Sequence, residues 1–102
     1  EDLRKGLMFI KKLDENKGMI FSYNESKIHS MWMKNTYIPL DVLFLDKNYK
    51  ILGYVKNTKP FSTESISINK PSQHVVELNS GSIQKFNLKI NDTLNFREIN
   101  SF

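Results

Sequence analysis

Lys34, Asn35, Thr36 and Asp41 fall within eight positions of one another around Pro39, next to the indole of Trp32. A cation, an amide, a hydroxyl and a carboxylate converging beside an aromatic plate would line a site for a small polar ligand or a sugar. Glu77, in the word Val76-Glu77-Leu78, joins this set as a second carboxylate. A second reading keeps the same groups local. Asn35 and Thr36 then bond the backbone of their own turn and Lys34 pairs with Asp41.

Two further groupings carry other chemistry. His29, Met31 and Met33 are spaced i, i+2, i+4, so a regular strand would point an imidazole and two thioethers to one face. That donor set suits Cu(I), with Met8 or Met19 to complete it. Against this, Met commonly fills sheet cores, and one side of such a strand must be buried in any case. The acid–base inventory is Asp41, His74 and Glu77. His74 and Glu77 lie three apart and so on opposite faces of a strand. Only Asp41 meeting Glu77 across strands would give paired carboxylates of the kind a hydrolase uses. The nucleophile elbow, the His-Glu-x-x-His word, the phosphate loop and the dinucleotide fingerprint are all missing. The chain has no cysteine, which removes thiol catalysis and thiolate zinc. No cofactor is expected, and a binding module for a small polar ligand or a partner protein is favoured over a copper-handling protein or a hydrolase.

These groups must be carried by 102 residues, enough for one domain and one core. The chain is 39% hydrophobic, and no apolar run approaches the ~20 residues of a membrane span. The net charge is +4, but Lys is spread from Lys5 to Lys89 and Arg is confined to Arg4 and Arg97. That is a solvated surface rather than a basic stripe, so no nucleic-acid partner is expected. The expected state is a monomer. Ala is absent, which withholds the best helix former and favours β structure.

Leu3, Leu7, Ile10 and Leu13 fall at helical spacing behind Asp2 and predict one N-terminal helix, which Gly6 weakens and which could stop near Met8, leaving Phe9 to Leu13 as an irregular arm. Gly18 to Tyr23 reads as a strand, as does the alternating stretch Lys27 to Thr36. The apolar run Val42 to Leu45, within Leu40 to Leu45, predicts a strand covered on both faces. A turn at Asp46 to Asn48 returns the chain over Tyr49 to Val55 as a hairpin. Ser65 to Ile68 reads as a short edge strand and His74 to Leu78 as a further strand. A short late helix capped by Ser80 or Ser82 and a last strand, Thr93 to Ile99, complete the chain. The expected fold is mainly β: a compact antiparallel barrel or two packed sheets, with an N-terminal helix and one short late helix.

Several words occur in order along nearly the whole chain: Gly6-Leu7-Met8-Phe9, Gly18-Met19-Ile20-Phe21, Trp32-Met33-Lys34-Asn35-Thr36, Pro39-Leu40-Asp41, Phe44-Leu45-Asp46, Val76-Glu77-Leu78-Asn79 with Gly81, and Ile90-Asn91-Asp92. As a set they resemble the domain-of-unknown-function 192 family. The resemblance implies a compact, mainly antiparallel β-fold in prokaryotic proteins that often follow an export signal or lipoprotein leader, so a periplasmic or exported location is expected on that ground alone. It implies no activity. The chain departs from the pattern at Ile10, where a basic residue usually follows Gly-Leu-Met-Phe, at Phe61, where Cys is frequent, and at Asn91, where Gly usually precedes Asp92.

Overall fold

A computed structural model describes residues 7–14 and 17–95. Four strands, β1 (Gly18–Ile28), β2 (Leu40–Leu45), β3 (Ile51–Val55) and β4 (Pro71–Asn79), form one antiparallel sheet in the order β1-β4-β2-β3. A single turn of helix, α1 (Ser82–Lys85), follows β4. Among the described residues the sheet does not close into a barrel and has no second sheet packed on it, which corrects that part of the expected architecture.

β2 is buried along its whole length because it is an inner strand with both faces covered. Leu40, Val42 and Phe44 project to one face, where they meet Phe21, Val75, Met33, Leu7 and Leu13. Leu43 and Leu45 project to the other, with Ile51, Val76 and the α1 residue Ile83. The first face is roofed by the arm 7–14 and by loops. The second is roofed by α1 and the chain that follows it. The hairpin turn lies where the sequence places it. The Oδ1 atom of Asp46 accepts from the backbone N–H groups of Asn48 (2.8 Å) and Lys50 (2.9 Å), and this holds the turn between β2 and β3.

Four expected elements take another form. The first half of the expected N-terminal helix lies outside the described residues, and from Leu7 onward the chain makes one turn and then runs as an irregular arm. Leu7 and Leu13 are buried as the spacing implies, but the arm lies along the sheet rather than coiling on itself. The stretch Lys27 to Thr36 is not a strand. β1 itself continues to Ile28, and beyond it only Met31 is bridged, to Ile66, which is also all that remains of the edge strand at Ser65 to Ile68. The last strand is reduced to a bridge between Thr93 and Lys50, while residues 96–99 lie outside the description. That short contact still covers the outer edge of β3. Ile51 N–H donates to the Asp92 carbonyl (2.8 Å) and Asn91 N–H to the Ile51 carbonyl (2.8 Å). Open strand edges invite unwanted pairing, so this cover has a protective role.

The late helix is present, but neither Ser80 nor Ser82 caps it. Gly81 occupies the N-cap in the left-handed region (φ 94°) with no side-chain cap of its own. The first helical N–H groups turn instead to Asp41.

Candidate functional site

The Trp32–Thr36 word lies on the loop between β1 and β2, and its backbone explains the loss of the strand. Met33 is buried in the core, its N–H donates to the Ser62 carbonyl (2.8 Å), and Thr36 N–H closes a tight turn onto the Met33 carbonyl (3.0 Å). Asn35 takes the left-handed conformation this turn requires (φ 56°), a conformation Asn tolerates better than most residues. The Thr36 hydroxyl is buried and donates to the Lys34 carbonyl (3.2 Å). Asn35 and Thr36 thus serve the turn. Trp32 and Lys34 remain exposed, with the Lys34 ammonium 5.2 Å from the centre of the indole ring, within cation–π range.

Asp41 and Glu77 do not join this loop, and they do not meet each other. Asp41 is paired with Leu78 and Glu77 with Val42, so the two carboxylates project from opposite faces of the sheet. That geometry removes the paired-carboxylate reading. Lys34 likewise does not pair with Asp41, whose oxygens are occupied by three backbone N–H groups: Asn57 on Oδ1 (3.0 Å), and Gly81 (3.1 Å) and Ile83 (2.9 Å) on Oδ2. Asp41 is therefore a clasp that ties α1 and the β3–β4 connection to β2.

Glu77 lies on the face roofed by the arm and is only 4% exposed. The Leu7 N–H donates to its carboxylate, while Oε1 has no partner among the described residues. Burial dominates, and it pushes the Glu77 carboxyl up to about 7, with the Leu7 hydrogen bond opposing. The Glu77 charge also helps raise the Tyr23 hydroxyl, although burial is the larger cause there.

The His29, Met31 and Met33 grouping loses the regular strand on which it rested. Met33 is buried among apolar side chains, Met31 is half-buried against the same cluster, and the His29 Nε2–H donates to the Ser72 carbonyl (3.1 Å) while its ring stacks on Tyr23. Among the described residues, no three His, Cys, Asp or Glu side chains gather closely enough to hold a metal ion. His74 projects to the face opposite Glu77, as its spacing predicts. Its Nδ1 lies 2.8 Å from the hydroxyl of its cross-strand neighbour Ser22, and its ring stacks on Tyr49.

What the sequence did not reveal is an aromatic cluster built around the same loop. Phe9, from the arm, and Phe61, from the β3–β4 connection, both lie in the left-handed region (φ 66° each). Their N–H groups donate to consecutive loop carbonyls, Phe9 to Asn35 (2.8 Å) and Phe61 to Thr36 (3.1 Å). Between them stands Tyr37, edge-to-face with Phe9 at 6.2 Å and with Phe61 at 5.3 Å. All three rings are exposed, Phe9 and Phe61 by more than half (55% and 57%). A bulky residue at positive φ is a genuine outlier, costing about 1–3 kcal/mol. Here two such costs are borne to hold rings in water. No periodicity in the sequence signals this, because the three residues come from segments far apart and positive φ leaves no mark on a Phe.

A groove of about 420 Å³ opens between the arm, the residues entering β2 and the corner between β4 and α1. Lys11, Lys12, Leu13, Ile38, Pro39 and Lys85 form its walls, and Asn79 to Ser82 its floor.

The DUF192 family model, described as "Uncharacterized ACR", matches residues 1–96. Two solved structures share the fold at a TM-score of 0.85. One, from Sinorhizobium meliloti 1021, is named as a proposed transcription regulator; it is 35% identical, and the match covers 87% of this chain and 69% of that one. The other, from Novosphingobium aromaticivorans DSM 12444, is described as a protein of unknown function; it is 32% identical, and the match covers 90% of this chain and 66% of that one. The chain thus spans about two thirds of the length of each. No curated protein gives a match.

Proposed function

The chain belongs to the DUF192 family, and for this member we propose a binding function: a module that takes a ring-shaped polar ligand, a saccharide, on the aromatic edge formed by Phe9, Tyr37 and Phe61 beside Trp32 and Lys34. The observation that carries this reading is the pair of phenylalanines held at positive φ with their rings exposed. Strain of this kind persists only where the surroundings over-determine it, and it concentrates at ligand clamps and active sites. Exposed ring faces offer apolar planes for the C–H faces of a sugar, while the Lys34 ammonium and the Asn35 amide supply polar contacts at its rim. Phe61 is one of the positions at which the chain departs from the family pattern, so part of this surface belongs to this chain in particular.

Phe61→Gly separates function from stability. Glycine relieves the left-handed backbone, and the gain is offset by the lost Tyr37 ring contact and by greater freedom of the unfolded chain, so stability should stay within about 1 kcal/mol of the parent. Titration with glucose and N-acetylglucosamine oligosaccharides, followed by amide spectra, should shift residues 32–37 and 61 in the parent protein, with affinity reduced at least about tenfold in the variant. If no oligosaccharide moves these amides, or if Phe61→Gly binds as tightly as the parent, the reading fails. Shifts of the same amides by a single-stranded oligonucleotide alone would replace the saccharide by a base-stacking ligand.

A further inference from the structure

We propose that the groove between the arm and α1 is a second binding site, for a small organic anion: a carboxylate or phosphate group carried on an apolar body. This rests on observations separate from the aromatic edge, although the arm contributes to both, Phe9 to the edge and Lys11 to Leu13 to the groove.

Three cations come to the groove from two directions, Lys11 and Lys12 on the arm and Lys85 at the end of α1, and among the described residues no acidic side chain lines it. Among the described residues neither Lys11 nor Lys12 has an acidic partner; the arm's Asp14 pairs with Lys17 instead (3.8 Å). Leu13, Ile38 and Pro39 supply an apolar wall against these charges, and Ser80 and Ser82 add polar groups. A volume of about 420 Å³ lies in the range of small-molecule sites, which pair an apolar lining with a few orienting polar groups.

The groove is formed in advance of any ligand. The Asn79 Nδ2 donates to the carbonyls of Leu13 (2.5 Å) and Asp14 (3.3 Å), which fixes the arm against the end of β4. On the opposite side Ser80 N–H donates to the Pro39 carbonyl (3.2 Å), and the Ser80 hydroxyl donates to the Asn57 side chain. Asp41 lies behind the floor, but the three N–H groups on its carboxylate oppose its single charge, and Lys11 and Lys12 outweigh it. The local field therefore favours an anion, and the apolar wall favours one with a body to bury rather than a bare inorganic ion.

The test uses benzoate and phenyl phosphate as probes, with benzyl alcohol as the neutral match and inorganic phosphate as the bare anion, each titrated against the amide spectrum of the chain. Benzoate and phenyl phosphate should saturate and should shift residues 11–13, 38 and 79–85 together. Lys11→Gln with Lys12→Gln, and separately Lys85→Gln, should weaken them by about fivefold per lysine removed, in line with partly exposed ion pairs. Benzyl alcohol should bind much more weakly, and inorganic phosphate should not saturate. Equal binding of benzyl alcohol would overturn the proposal, as would affinities indifferent to all three lysines, saturable inorganic phosphate binding of equal strength, or no shift at these residues. Amide spectra of the lysine variants without probe confirm folding, so a lost interaction is read as lost binding.

Discussion

Stability should fall as pH rises from about 4.5 to about 7, and Glu77→Gln should abolish that slope. In the folded chain the Glu77 carboxyl is pushed up to about 7 from an ordinary value of 4.5, chiefly by burial. The folded state therefore holds a proton that the unfolded state releases first. The stabilisation from that proton is complete below about 4.5 and is lost progressively until the folded group also ionises near 7. A difference of that size corresponds to about 3 kcal/mol, a large share of the 5–15 kcal/mol typical of a small domain. Among the described residues Glu77 has the charge cost of an interior carboxyl without a cation to offset it: the family pattern leads one to expect a basic residue at position 10, whereas Ile10 here packs against the apolar cluster of that face. His29 and His74 act in the opposite sense. Burial lowers both, so each gives up stability as pH falls through the histidine range. Subtracting the Glu77→Gln profile from that of the parent isolates the carboxyl, provided both are measured by urea unfolding from pH 4 to 8. A difference that stays flat across this window would show that the Glu77 carboxyl ionises in the folded chain as it does in the unfolded one, without the rise that burial imposes.

How much of this was visible in the sequence depends on how local each cause is. The unbroken run Val42 to Leu45 announces a strand with two covered faces, and Asp46 announces its turn, because both signals come from adjacent residues. The arm follows the alternative to the expected helix for a physical reason. Leu7, Ile10 and Leu13 are three apart, which matches a helix face, but an irregular segment lying along a sheet can bury every third residue too, and the backbone bond from Phe9 to Asn35 draws it that way. The alternation from His29 to Met33 misled in the same manner. Period two describes a strand only if a neighbour pairs with it, and past Ile28 the chain finds only Ile66. For the candidate site, alternation puts Trp32 and Lys34 on a strand, whereas the structure carries them on an exposed loop, and Asp41 joins them in the sequence only because it falls within eight positions of Lys34. Two of its three partners, Gly81 and Ile83, lie about forty residues away, and nothing in the local pattern points to them. The aromatic edge was invisible for the same reason, since backbone contacts bring Phe9 and Phe61 to either side of Tyr37.

Removal of the Asp41 clasp should therefore be among the most damaging single changes in the molecule, although the residue touches no ligand in either proposed site. Asp41→Ala leaves the N–H groups of Asn57, Gly81 and Ile83 without their acceptor. Each such loss in a partly or wholly buried setting costs about 1–3 kcal/mol, and bonds to a charged acceptor sit toward the upper end. The expected destabilisation is at least about 3 kcal/mol, against about 1 kcal/mol for Asp46→Ala, whose two N–H partners are exposed and can turn to water. The damage should also be uneven. α1 is only four residues long and cannot persist by its own propensity, so it depends on Ile83 packing into the core and on Asp41 holding its first N–H groups. Hydrogen exchange in Asp41→Ala should accelerate first at residues 81–86 and only later in β2 and β4, and Asp41→Asn, which keeps one acceptor oxygen, should fall between the parent and the alanine variant. If Asp41→Ala unfolds within 1 kcal/mol of the parent and protection at 81–86 is unchanged, α1 is held by apolar packing alone and the clasp contributes nothing to the fold.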